Sequence, residues 1–244
     1  MKKNKMMRLA SGLLVAVLIT TSTISGTYAK YVTEGQATDS ARVAKWGVTI
    51  TADGSMFADS YLNTETTYTS DEDVETIAVQ ADTEGTNVVA PGTEGALADY
   101  TVTGIPEVDA LVTYTATLTL AGWEVDVTDD GVDNPTNYCP IVFTIVANGN
   151  TTVVNANGDM TMAAIKTAVE AEIVKATKRY HTNEDLSAVA NDLAVSWKWP
   201  FETGADDVAK AANNVKDTAL GDAAAAGSPA TIALATTITI EQID

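Results

Sequence analysis

Cys139 and His181 are the only cysteine and the only histidine in this 244-residue chain. Nucleophilic catalysis by a Ser-His-Asp or Cys-His pair needs that one imidazole beside a nucleophile. A zinc hydrolase needs two or three imidazole or carboxylate ligands and a general base, commonly as HExxH on a helix. His181 with Glu184 supplies one imidazole and one carboxylate, and no such motif occurs. The expectation is a protein that is not an enzyme, with no catalytic residue, metal or cofactor, and with His181 on the surface. Cys139 precedes Pro140 and the apolar run Ile141–Ala147, so it reads as a buried small hydrophobe. A single cysteine excludes an internal disulfide.

Acidic and aromatic groups offer two further chemistries. From Asp126 to Asp133, oxygen donors at Asp126, Thr128, Asp130 and Asp133 alternate around Gly131, which sits sixth, as in a calcium loop. The twelfth position is Asn137 rather than Glu, and the flanks read as strands, so an acidic turn is expected. Asp126, Asp130 and Asp133 are the calcium candidates that remain. Asp71-Glu72-Asp73 and Asp206-Asp207 carry less of the pattern. Trp46, Trp123, Trp197 and Trp199 have the surface to stack on sugars, the basis of an alternative reading as a cell-surface adhesin or glycan-binding module. Trp197 and Trp199 lie on one face of a strand, which is the pattern of a core.

The elements that must carry these residues are mostly strands. In Ala110–Ala121 (ALVTYTATLTLA), Val112, Tyr114, Ala116, Leu118 and Leu120 fall on one face and threonines on the other, the alternation of a sheet with one wet side. Trp46, Val48 and Ile50 alternate through Ala41–Thr51. Glu75–Gln80, Leu97–Thr103, Trp123–Val127, Ile141–Ala147, Thr151–Asn155, Leu193–Trp199 and Thr231–Glu241 read as further strands, with Asn148-Gly149 as a hairpin turn. Apolar spacings of three and four predict an amphipathic helix over Thr161–Arg179, capped by Asp159. Thr182–Asp185 reads as a capping box for a shorter helix to about Asn191, and a short helix is expected around Asp206–Val215. The expectation is a mainly β protein, a β-sandwich over 45–244 with a small helical insertion at about 159–192.

The first 29 residues have a different logic. Lys2, Lys3, Lys5 and Arg8 precede the apolar Leu9–Ile19, and Thr27-Tyr28-Ala29 ends the stretch with small residues at its first and third positions. That order is a secretory signal peptide, with cleavage expected between Ala29 and Lys30. A membrane-spanning helix needs about 20 apolar residues, and the polar Thr20–Thr23 interrupts too early, so the membrane is met only during export. Four of the 14 basic residues lie in this stretch and all 33 acids lie beyond it, which leaves the mature chain at −23. Such a surface repels nucleic acid and anionic lipid. Residues 30–44 form an N-terminal tail that could serve as a donor strand. Tyr31, Ala37, Ala41 and Val43 share its odd-numbered face, with Val32 beside the cleaved end.

Gly26-Thr27-Tyr28-Ala29, with Tyr31 following, resembles the processing site of the TasA/camelysin group of exported Gram-positive proteins. Ser40–Trp46, Trp197–Glu202, Asp217–Gly221 and Gln242-Ile243-Asp244 are also similar to that wider class. The resemblance covers about a third of the chain and is most specific in the first 50 residues. It implies maturation by a dedicated ER-type signal peptidase, SipW, a jelly roll, and a secreted location in the biofilm matrix or on the cell surface. It also implies fibres of self-copies built by strand addition of the tail. Camelysin-like relatives have been called metalloproteases, an activity for which one histidine is too few.

Overall fold

The computed structural model describes residues 42–52, 56–62, 78–84, 86–97, 100–127 and 135–243. The chain divides into an N-terminal unit, Met1–Val43, and a second unit, Ala44–Asp244. Of the first, Arg42 and Val43 are described, and both are exposed. The second is a mainly β sandwich with a small helical part.

One of its two twelve-residue strands, β6 (Ala110–Ala121), has the bounds that the alternating pattern predicts. Val112, Tyr114 and Leu118 are buried, while Thr115, Thr117 and Thr119 are exposed. β6 is the middle of a three-stranded antiparallel sheet. On one side lies β11 (Lys178–Tyr180), and on the other β13 (Thr231–Gln242), which pairs along the full length of β6. A four-stranded antiparallel sheet has the order β10 (Asn150–Val154), β9 (Val142–Ala147), β12 (Leu193–Lys198) and β4 (Glu94–Ala96). Three two-stranded pairs complete the described strands. β1 (Thr49–Ala52) joins β5 (Tyr100–Thr103), β2 (Ser60–Leu62) joins β3 (Ala78–Gln80), and β7 (Glu124–Val125) joins β8 (Thr136–Asn137).

One core unites the two larger sheets and helix α1 (Met162–Val174). Tyr114 and Leu118 come from β6, Phe143 and Ile145 from β9, and Val195 and Trp197 from β12. Ile165, Val169 and Ile173 of α1 are fully buried, each stabilising by about 1.5–3 kcal/mol. α1 therefore closes one side of the sandwich, lying against β6, β9 and β10.

Several sequence expectations need correction. The first helix stops at Val174 instead of Arg179, because Lys178–Tyr180 pairs with Ala110–Val112 and gains a ladder of backbone bonds. Its cap is Thr161, whose Oγ1 accepts from the Ala164 N–H at 3.2 Å, and not Asp159. The expected capping box does not form at Thr182, whose hydroxyl and backbone N–H both donate to Asp109. A 3-10 turn, Leu186–Asn191, follows instead, capped by Asp185. Helix α2 (Asp207–Ala225) runs ten residues past the expected end at Val215, since its alanines favour helix and Asn213 is held by Thr203. The expected strand over Ala41–Thr51 shortens to Thr49–Ala52, with Trp46 and Val48 half-buried ahead of it.

Candidate functional site

β13 reads TIALATTITIEQ. Its even-numbered side chains from Ile232 to Ile240 turn partly inward against β6, and its odd-numbered ones are exposed. Among the described residues β13 pairs with β6 alone, so its other side is a sheet edge. The register decides which backbone groups face that edge. Ile243 donates its N–H to the Asp109 carbonyl at 3.0 Å, and bonded and non-bonded pairs alternate along an antiparallel ladder. Odd-numbered backbone groups of β13 therefore face β6, and those of Ile232, Leu234, Ile238 and Ile240 face outward. Thr236 is engaged elsewhere. β13 contains no Lys, Pro or Gly, the usual devices that protect an edge, and its one charge is Glu241 near the end.

The opposite edge of the same sheet is closed. β11 covers only Ala110–Val112 of β6. Beyond it, side chains of α1 and its exit take the place of a strand. The Leu118 N–H donates to Glu170 Oε1 at 2.9 Å, and Lys166 Nζ donates to the Leu118 carbonyl at 3.0 Å. Thr177 Oγ1 accepts from the Tyr114 N–H at 3.5 Å. The Lys166–Glu170 ion pair at 2.6 Å locks the two side chains in that role, and holds the Glu170 carboxyl below the usual carboxylate range.

Within the second unit, Lys45 is fastened near the residue that receives the end of β13. Lys45 donates its backbone N–H to Glu107 Oε2 at 3.0 Å, and Glu107 returns a bond to the Lys45 carbonyl at 2.8 Å. Two residues on, Asp109 receives Ile243. The Asp109 side chain fastens the same corner. Arg179 donates to Oδ2, and the Thr182 hydroxyl and N–H donate to Oδ1 at 2.8 and 2.7 Å. The Arg179 guanidinium, ahead of Thr182, holds this carboxyl well below the usual range.

His181 is 75% exposed, with Nδ1 3.6 Å from Asp109 Oδ2. The Glu184 carboxylate accepts the His181 backbone N–H at 2.8 Å, so it is turned to the main chain rather than to the imidazole. No group of three or more His, Cys, Asp or Glu side chains able to hold a metal ion occurs among the described residues. Cys139 is buried, and burial pushes its thiol up to about 12. Trp123, Trp197 and Trp199 lie in the core. The Trp123 and Trp197 indoles donate to the Thr231 and Met56 carbonyls at 2.8 and 2.7 Å, so none of these three presents a face to a sugar. Trp46 is half-buried.

Of the calcium candidates, Asp126 is half-buried just after β7, while Asp130 and Asp133 lie outside the described residues. The flanks of this loop, β7 and β8, pair as a hairpin. Of the tail residues, Val43 is exposed, and Tyr31, Val32, Ala37 and Ala41 lie outside the described residues, as does the Ala29–Lys30 junction. The sequence reading found β13 but not its position at an edge, because alternation reports faces and not neighbours. It also missed Lys166 and Glu170, whose i,i+4 spacing marked them only as a surface pair.

Among the described residues no helix is long and apolar enough to cross a membrane. No family model matches the chain, and no curated protein or solved structure matches it.

Proposed function

We propose that this is a secreted structural protein of the cell surface or biofilm matrix of a Gram-positive bacterium. Its copies assemble into fibres by adding the N-terminal tail, residues 30–44, to a sheet edge on a neighbour. The observation that carries this reading is the asymmetry of the three-stranded sheet, with one edge closed by α1 and the other, twelve-residue edge left without protective residues. An added strand gains affinity from main-chain bonds and register from alternate side chains. On the donor, Tyr31, Ala37, Ala41 and Val43 supply that alternation; on the acceptor, the outward groups of Ile238 and Ile240 supply the bonds. The signal-like first 29 residues and the resemblance of the processing site support export and maturation by an ER-type peptidase. With no catalytic constellation to assign among the described residues, we propose that the protein is not an enzyme.

Negative-stain microscopy and N-terminal sequencing of secreted protein test the reading together. The mature chain should begin at Lys30 and form fibres, and the uncleaved precursor should remain monomeric. Single particles from a chain beginning at Lys30 would count against assembly.

A further inference from the structure

Helix α2 is attached to the body in an unusual way. Of its 19 residues, Asn213 and Leu220 are buried, while Val208 and Val215 are exposed. An apolar seam this thin supplies little docking energy, so the polar contacts matter more. They centre on Asp217. Tyr138, in the segment between β8 and β9, donates its hydroxyl to Asp217 Oδ1 at 2.7 Å. The Trp199 indole N–H is buried without a hydrogen-bond partner within bonding distance, yet lies near enough to favour the charged carboxylate. Asn213 Nδ2 donates to the Thr203 carbonyl at 2.9 Å, which fixes the next turn of the helix to the same wall.

The charged and titratable groups facing Asp217 are few. Lys216, on its own helix, stands over the Tyr138 ring at 5.0 Å and donates to Asn213 at 3.2 Å. From the body come Tyr138 and, behind it, Cys139. A cleft of about 320 Å³ opens beside this cluster, lined by Tyr138, Asn213 and Lys216. Two glycines in the left-handed region flank the helix. Gly204 (φ 141°) packs against the α2 backbone, and Gly227 (φ 86°) faces open space. The helix thus has a left-handed glycine near each end and a half-buried carboxyl in its docking face.

We propose that Asp217 is a protonation-controlled latch, holding α2 against the body when the carboxyl is neutral and loosening it when the carboxyl ionises. This is independent of the assembly reading. Burial is the main cause that raises this carboxyl to about 6, against the opposing pull of Tyr138 and Trp199. A raised acid binds its proton more tightly when docked, so its contribution is full below about pH 4 and is lost as pH rises through about 6.

Hydrogen exchange of the mature chain, read by peptide between about pH 5 and pH 7.5 and corrected for intrinsic rates, tests the latch. A shift of about two units is worth at most ~100-fold over the whole titration, of which about tenfold falls between pH 5 and pH 7.5, and solvent around the partly accessible carboxyl reduces the expected loss of protection to roughly threefold. That loss should be confined to residues 207–225, with β6 and β9 peptides unchanged. Asp217→Asn should abolish the pH dependence. Tyr138→Phe removes a donor that favours the ionised form and should move the midpoint upward, a readout that survives if the first variant fails to fold. A flat profile in the unsubstituted protein, a pH dependence retained in Asp217→Asn, or an unmoved midpoint in Tyr138→Phe would overturn the proposal.

Discussion

Glu170→Ala removes the acceptor that α1 supplies to the backbone of β6. The Leu118 N–H then faces the buried side of the helix without a partner. An unsatisfied buried donor costs about 1–3 kcal/mol. Because the Glu170 side chain is 27% exposed, water relieves part of this, and ~1–1.5 kcal/mol is the value to expect. Loss of the half-exposed Lys166 pair adds about 0.3–0.5 kcal/mol. The sum lowers the melting temperature by roughly 3–6 °C for a domain of this size. Glu170→Gln keeps an acceptor for the Leu118 N–H and loses only the ionic part, about 0.5 kcal/mol. Thermal and urea unfolding of both variants, with Lys166→Ala to close a double-mutant cycle, measures each part. The lowered Glu170 carboxyl fixes the pH dependence: its stabilisation is present above the normal glutamate range and is lost as pH falls through the folded value. The gap between unsubstituted protein and Glu170→Gln should therefore close in acid. Equal losses in the Gln and Ala variants would show that charge, and not the missing strand partner, governs this edge. No loss in Glu170→Ala would refute the substitution of side chains for a strand.

The remaining predictions concern the other polar corners and the edge itself. His181→Ala should change unfolding free energy by less than about 0.5 kcal/mol, given its exposed imidazole, and should leave any apparent proteolysis unchanged; calorimetry and a peptidase assay check this. Asp109→Asn should flatten the acid limb of the stability curve, because Arg179 and Thr182 hold the native carboxyl low and that stabilisation is lost as pH falls, which acid titration by circular dichroism reads. Ile240→Pro deletes an outward N–H and should leave the body folded while blocking growth at that edge. Thr239→Pro deletes a bond to β6 and should cost about 3 kcal/mol or more, seen as a lower unfolding midpoint.

The sequence pattern reads most clearly where one periodicity runs uninterrupted. The alternation in Ala110–Ala121 marks both the bounds and the buried face of β6, because threonines and apolar residues separate by parity from Val112 to Leu120. The helix near Met162 is equally legible in Ile165, Val169 and Ile173. Its end is not, because Lys178–Tyr180 continues a helical spacing while its backbone bonds go to Ala110–Val112, far earlier in the chain. Pairing partners of that kind leave no local trace. The Asp217 cluster left a faint one, an acid at i+4 from Asn213 and three before Leu220 on the inward stripe of α2. Without the fold, that acid is indistinguishable from a solvated one in an acidic chain. The lone histidine and cysteine bounded the chemistry because counting residues requires no fold.

Sedimentation velocity of two purified chains, one beginning at Lys30 and one beginning at Arg42, tests the assembly claim most directly. Both retain the body from Ala44 and should show the same unfolding transition. The longer chain should sediment as fibres that a synthetic peptide of residues 30–44 shortens by capping their ends, and the shorter chain should sediment as a monomer. Large assemblies from both chains, or monomers from both, would contradict strand addition by the tail.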